Sequence, residues 1–139
     1  MTVEATGKIA LEPKVVLPMS IEAALEVATA ALKDEGFGVL TKIDVQATLT
    51  EKLGESFDPY LILGACNPSL AHRALTADSD IGLLLPCNVT LHESGGETTV
   101  SIIDPNAMLA AAGGNEAVTE IAKEATTRLT RVAAALADH

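Results

Sequence analysis

The sequence predicts a two-layer α+β sandwich, in which a mostly antiparallel sheet is covered on one face by two long helices. Several short segments alternate apolar and polar residues with the period of a strand. Two longer segments repeat apolar residues at helical spacing, and a glycine pair at 95–96 separates two β-rich runs. The order strand, helix, four strands, helix, with short helical insertions, then places both long helices on the same face.

The first strand is predicted at residues 9–17, where apolar side chains alternate with charged ones. Pro13 falls on the apolar register, and since proline cannot donate a hydrogen bond, we expect this strand at an edge of the sheet or with a bulge. A long helix over about 21–35 follows. Ser20 suits its N-cap and Gly36 suits the position after its last turn.

The middle of the chain alternates strands with short helices. Residues 37–43 alternate as a strand, and Asp44 is a suitable cap for a short helix that Gly54 closes. The apolar run at 60–65 is too short for a typical helix and predicts a buried strand. Asn67 followed by Pro68 indicates the start of another helix, because asparagine caps well and proline is tolerated at the first helical position.

The last third contains the hairpin and the second long helix. Residues 87–93 and 97–103 read as its two strands, and the apolar residues 81–86 lie between chain breakers. Residues 105–114 are compatible with one helical turn or with a linker. From about 115 to 137 apolar residues form one stripe, which predicts an amphipathic helix. The positions expected in the core are Leu25, Leu32, Ile62, Leu129 and Val132.

Length and composition predict one domain over residues 1–139, with the first seven residues flexible. Its 139 residues are 48% hydrophobic, which suffices for one core, and only three are aromatic. The core must therefore be aliphatic. Nineteen acidic against nine basic residues give a net charge of −10, which argues against nucleic acid and anionic membrane partners. With neither a leader pattern nor a membrane-length apolar run, we expect a soluble, cytoplasmic protein.

Four stretches resemble the family called domain of unknown function 302. They are GFGVLTKIDV at 36–45, YLILGACNPSLAHRAL at 60–75, IGLLLPCNV at 81–89 and Asp104-Pro105. The resemblance runs from about residue 15 to the C-terminus. It implies a fold like that of the TATA-box-binding protein and a homodimer, but no reaction, and DNA binding does not carry over with a fold. Pro13 departs from the uninterrupted first strand that the resemblance implies.

The candidate site residues are Cys66, Asn67, His72, Cys87 and Asn88. Cys66 ends an apolar strand just before a helix cap, where backbone amides and the helix dipole favour a thiolate; the alternative is a buried apolar plug. Cys87-Asn88 repeats the pair Cys66-Asn67, so both pairs are candidates for one polar pocket, although a cap and a turn also explain the asparagines.

His72 is the histidine nearest in sequence to the Cys66-Asn67-Pro68 helix start. Together with its neighbour Arg73 it is interpreted as a surface residue or a dimer contact. One histidine and two cysteines match no zinc spacing, so neither a metal site nor a cofactor is predicted.

These observations lead to three functional hypotheses. The first is a dimer that binds a small ligand or a partner near the Cys66-Asn67-Pro68 helix start, without breaking bonds, since no general base is visible beside either thiol. The second is a redox protein or thiol enzyme in which Cys66 attacks and Cys87 resolves. The third is an assembly module. Because no catalytic motif occurs, the sequence leaves open whether the chain is an enzyme.

Overall fold

The structure is a computed structural model that describes residues 9–139, apart from the side chain of Ala112. The first seven residues, for which flexibility is predicted, lie outside this range. In chain order the elements are β1 (Val15–Leu17), α1 (Ile21–Asp34), β2 (Gly38–Asp44), α2 (Val45–Leu53), β3 (Tyr60–Cys66), α3 (Pro68–Ala77), a 3-10 helix (Ser79–Leu84), β4 (Cys87–Ser94), β5 (Glu97–Ile102), α4 (Pro105–Leu109), a second 3-10 helix (Ala110–Ala112) and α5 (Glu116–Ala137).

The five strands form one antiparallel sheet in the order β1-β5-β4-β3-β2. The two long helices, α1 and α5, pack against each other and against this sheet, which confirms the two-layer α+β fold. Short helices form at residues 79–84 and 105–112. The first of these segments includes most of the apolar stretch between β3 and β4.

The first strand is shorter than predicted. Only Val15–Leu17 pair with β5, and the preceding segment adds a single bridge between Ala10 and Ile103. The expected edge position is confirmed, because β1 is the outermost strand on its side of the sheet. Pro13 lies between the bridge and the strand, where no ladder hydrogen bond is needed.

The sheet has an inner face, which packs on the helices, and an outer face. Along β4 and β5 the buried residues alternate with more exposed ones, as a half-buried strand requires. Leu32, Leu129 and Val132 are fully buried as predicted. Leu25 and Ile62 are only partly buried, so that expectation is wrong for them.

Ile62 is partly exposed because β3 is covered on one face only. Leu63 and Ala65 are buried on the inner face, whereas Ile62 pairs with Ile43 and Thr90 on the outer face. A continuous apolar run does not reveal which of its residues face a helix.

The helices begin at the N-cap residues that the sequence predicts. The side-chain oxygens of Ser20, Asp44, Asn67 and Asn115 each accept a hydrogen bond from a backbone N–H in the first turn of the helix that follows. Asn67 accepts from the Leu70 N–H at 3.1 Å, which fixes the first turn of α3 at the end of β3.

Candidate functional site

A cavity of about 40 Å³ lies where β3 ends and β4 begins. It is bounded by α3, α4, α5 and the chain just before β4, and Cys66, Asn67 and Cys87 all contribute to its wall. The remaining wall is aliphatic apart from Phe37. The volume is sufficient for a few water-sized atoms.

The antiparallel pairing of β3 and β4 explains why both cysteines line this cavity. Cys66 is the last residue of β3, and Cys87, the first residue of β4, pairs with Ala65. The last residue of one strand and the first residue of its antiparallel neighbour lie at the same end of the strand pair. Residues separated by 21 positions in the sequence are therefore brought together, and both cysteines are free thiols.

The two thiols differ in burial. Cys66 is half-buried, whereas Cys87 is only 7% exposed. Burial, together with the nearby Cys66, raises the pKa of the Cys87 thiol from 9.0 to about 11. Cys87 is therefore a neutral thiol at physiological pH, and a neutral thiol is a poor nucleophile.

Asn67 joins the cavity to α1. Its Oδ1 caps α3, while its Nδ2 lies against Gly36, directly after the last turn of α1. The side chain is 92% buried between these two helix ends. Asn67 is thus both a helix cap and part of the cavity wall.

His72 and Asn88 lie outside the cavity. His72 is exposed on α3 and lines a separate depression between α3 and α5 with Thr76 and Glu120. Asn88 lines a depression on the outer face of the sheet. Successive side chains of a strand point to opposite faces, so Cys87 and Asn88 cannot both face the cavity. The structure brings three of the five candidate residues together.

An ion-pair network lies beside α3 and includes all three arginines of the chain. Arg73 and Arg128 contact the Glu124 carboxylate at 2.9 Å and 3.3 Å, which joins α3 to α5. Arg128 also donates to the Glu35 carbonyl, and Arg131 contacts the Glu35 carboxylate at 2.9 Å. The hydrogen bond from Arg73 is the main cause that lowers the pKa of Glu124. The network fixes α3 and α5 relative to the end of α1.

Comparison with known proteins identifies the family. The family described as Domain of unknown function DUF302 matches residues 14–136 of the chain. The chain belongs to the DUF302 family. An uncharacterised conserved DUF302 protein from Bacillus stearothermophilus, whose crystal structure is solved, is 31% identical and superposes with a TM-score of 0.80 over 88% of this chain and 94% of that one. No curated protein gave a match.

The family assignment confirms the resemblance seen in the cysteine-containing motifs. The further similarity to the TATA-box-binding protein fold stays a prediction. For this DUF302 chain, none of the helices in the described part is long and apolar enough to cross a membrane. Within residues 9–139 there is also no group of three histidine, cysteine or acidic side chains placed to hold a metal ion.

The candidate residues chosen from the sequence do not include Met108. Met108, on α4, lines the cavity together with both cysteines. Two signals mark this segment in the sequence: an N-cap followed by proline at Asp104-Pro105, and the apolar pair Met108-Leu109. It contained no indication that this segment packs over the thiols, since that depends on tertiary contacts between α4 and α5.

Proposed function

We propose that this DUF302 chain binds a small ligand in the cavity at the start of α3, and that it does so without breaking bonds. The observation that supports this is that two cysteines and the buried Asn67 line one small aliphatic cavity. A mostly apolar pocket with a few polar groups is the usual form of a small-molecule site.

The same cavity gives less support to a thiol enzyme or a redox pair. Cys87 is buried and holds its proton, since its pKa is raised to about 11. Among the described residues of the wall there is no histidine or carboxylate that could serve as a general base. His72, the histidine nearest to Cys66 in the sequence, lines a different depression.

The wall also restricts the ligand. Burying a net charge in an aliphatic cavity costs several kcal/mol unless a partner compensates it, so the bound species must be neutral overall. The cavity volume of about 40 Å³ restricts the ligand to a few non-hydrogen atoms inside the wall.

Binding can be tested by NMR with small neutral probes. Methyl signals of Leu70 and Met108, both in the wall, are followed while ethanol or isopropanol is added. We expect saturable shifts in the natural chain and none in Ala71→Leu, which fills the cavity. Ala30→Leu, an exposed change on α1, is the matched control and should behave like the natural chain. Absence of saturable shifts in the natural chain, or equal shifts in Ala71→Leu, would contradict the proposal.

We also propose that the outer face of the sheet forms a homodimer. By strand alternation and pairing, the central positions of this face carry no aspartate, glutamate, lysine or arginine: Val16, Thr41, Ile43, Tyr60, Ile62, Asn88, Thr90, His92, Thr99 and Ser101. Val16 and Ile43 are 53% and 50% exposed. In a chain of net charge −10, a face whose central positions carry no acidic residue is where two copies can meet with little repulsion. A twofold contact would cover it on both copies.

Sedimentation at micromolar concentration tests the dimer. The natural chain should sediment at twice 14.3 kDa, and Thr90→Arg, in the centre of the outer face, should give the monomer. Leu83→Arg is the control, because Leu83 is 86% exposed on the 3-10 helix outside the sheet. A natural chain that sediments at 14.3 kDa would rule the dimer out.

A further inference from the structure

We infer that the ligand of this cavity is a short, neutral carbonyl compound whose oxygen accepts a hydrogen bond from the Nδ2 atom of Asn67. The inference rests on the proposed function, because it names the chemical class of the ligand at the same site. It gives the Asn67 side chain a role in binding in addition to its role as a helix cap.

Asn67 has an unused hydrogen-bond donor in a largely buried side chain. The residue is only 8% exposed, and it lines the cavity. Its Oδ1 atom accepts the hydrogen bond from the Leu70 N–H at 3.1 Å, so the other end of the amide is the NH2 group. Within residues 9–139 no atom of the chain accepts a hydrogen bond from this NH2 group.

The NH2 group of Asn67 remains accessible to a small molecule. In the described part of the chain, every side-chain nitrogen or oxygen that is sealed from solvent has a hydrogen-bond partner. The Nδ2 atom has no partner, so it retains open surface. It lies against Gly36, and the next residue, Phe37, belongs to the cavity wall. A largely buried donor without an acceptor is destabilising, and a ligand oxygen removes that cost.

The composition of the wall selects a ligand that accepts a hydrogen bond and donates none. Among the wall residues that the structure describes, only Asn67 has nitrogen or oxygen in its side chain. Its oxygen is engaged by the first turn of α3, and the sulfur atoms of the wall are weak acceptors. A ligand hydroxyl would therefore lose the acceptor that water gives to its hydrogen. A carbonyl oxygen needs only the donor that Asn67 supplies.

The rest of the cavity fits the carbon part of such a ligand and leaves it unchanged. The volume of about 40 Å³ restricts the ligand to a few non-hydrogen atoms against aliphatic side chains. The described wall contains no lysine that would form an imine with a carbonyl group. Cys87 keeps its proton, because its pKa is raised to about 11, and is a poor nucleophile towards the carbonyl carbon.

The test compares acetone with isopropanol, which share one carbon skeleton and differ in the carbonyl and the hydroxyl group. Methyl signals of Leu70 and Met108 are followed by NMR while either compound is added to the full chain. We expect acetone to bind on the order of tenfold more tightly than isopropanol. Acetone should also shift the signals of the Asn67 NH2 group, which report the hydrogen bond directly and require no variant.

Asn67→Asp tests the donor by itself. Aspartate keeps an oxygen that caps α3 but has no NH2 group, so the preference for acetone should be lost. Asn115→Asp is the matched control, because Asn115 caps α5 and lies outside the cavity wall. This variant should keep the preference. Circular dichroism verifies that both variants are folded.

The outcomes separate this inference from the proposed function. If isopropanol shifts the methyl signals and acetone binds no more tightly, the carbonyl inference fails and ligand binding stands. A preference for acetone that persists in Asn67→Asp, or Asn67 NH2 signals that do not move at saturating acetone, would also overturn it. If neither compound binds, both proposals fail.

Discussion

Gly36 and Asn67 approach so closely that a Cβ atom on residue 36 would lie 2.9 Å from the Nδ2 atom of Asn67. Gly36 also has a φ of 84°, which a residue with a side chain adopts at a cost. The contact joins the end of α1 to the start of α3. The rim of the cavity therefore depends on the absence of a side chain at residue 36.

Replacing Gly36 with alanine should destabilise the fold and shift the start of α3. The strain at positive φ and the displaced Asn67 side chain together should lower the free energy of unfolding by roughly 2 to 3 kcal/mol. Urea denaturation measures this. Gly54→Ala is the control, because Gly54 has a φ of 67° but nothing within 4 Å of a Cβ there. Equal losses in both variants would show that contact with Asn67 is unimportant.

Replacing Asn67 with alanine should remove the cap of α3. The Leu70 N–H then loses its partner at 3.1 Å, and the free energy of unfolding should fall by about 1 kcal/mol. Asn67→Ser keeps an oxygen that can accept this hydrogen bond and should retain more of the stability. Chemical denaturation of the two variants provides the comparison, and a serine variant no more stable than the alanine variant would argue against capping as the cause.

The stability of the protein should fall in alkaline solution because of Cys87. Its pKa is raised from 9.0 to about 11 in the folded chain, so above pH 9 the unfolded chain loses this proton first. The contribution is complete below pH 9 and is lost as the pH approaches 11. Since each pKa unit corresponds to about 1.4 kcal/mol, the loss should reach roughly 2 to 3 kcal/mol. The free energy of unfolding, measured with urea at several pH values in this range, should fall less steeply with pH in Cys87→Ala than in the natural chain. Equal dependence on pH in the two proteins would refute the assignment.

The pKa of the Glu124 carboxyl should lie below its ordinary value, and Arg73 should be the main cause. The hydrogen bond from Arg73 is the largest cause that lowers the pKa of Glu124, followed on the favourable side by Arg128. Because the folded pKa is lowered, the associated stability is present at neutral pH and is lost as the pH falls. Carbon-13 NMR titration should show a higher pKa in Arg73→Gln. Arg131→Gln removes the ion pair with Glu35 and should leave the pKa of Glu124 unchanged.

Local signals in the sequence were sufficient for most of the fold. Caps and chain breakers are effects of neighbouring residues, so Asp44, Asn67 and Asn115 mark helix starts without knowledge of the tertiary structure. Pro13 predicted an edge strand for the same reason, since the missing N–H is a property of that residue alone.

The site was harder to predict because it is assembled by tertiary packing. That Cys66 and Cys87 line one cavity depends on β3 and β4 being neighbouring strands, which cannot be read from the sequence separation of the two residues. Asn88 was grouped with them because it follows Cys87, although strand alternation turns it to the outer face. Met108 reaches the cavity only because α4 packs against α5.

The position of Tyr60 determines what can be observed by optical spectroscopy. Tyr60 is the only tyrosine, the chain has no tryptophan, and its ring lies 5.2 Å from the ring of His92 on the outer face. Near-ultraviolet absorbance and intrinsic emission therefore come almost entirely from one residue outside the aliphatic core. Quenching by iodide would report directly, without a label, on whether a second molecule shields that face.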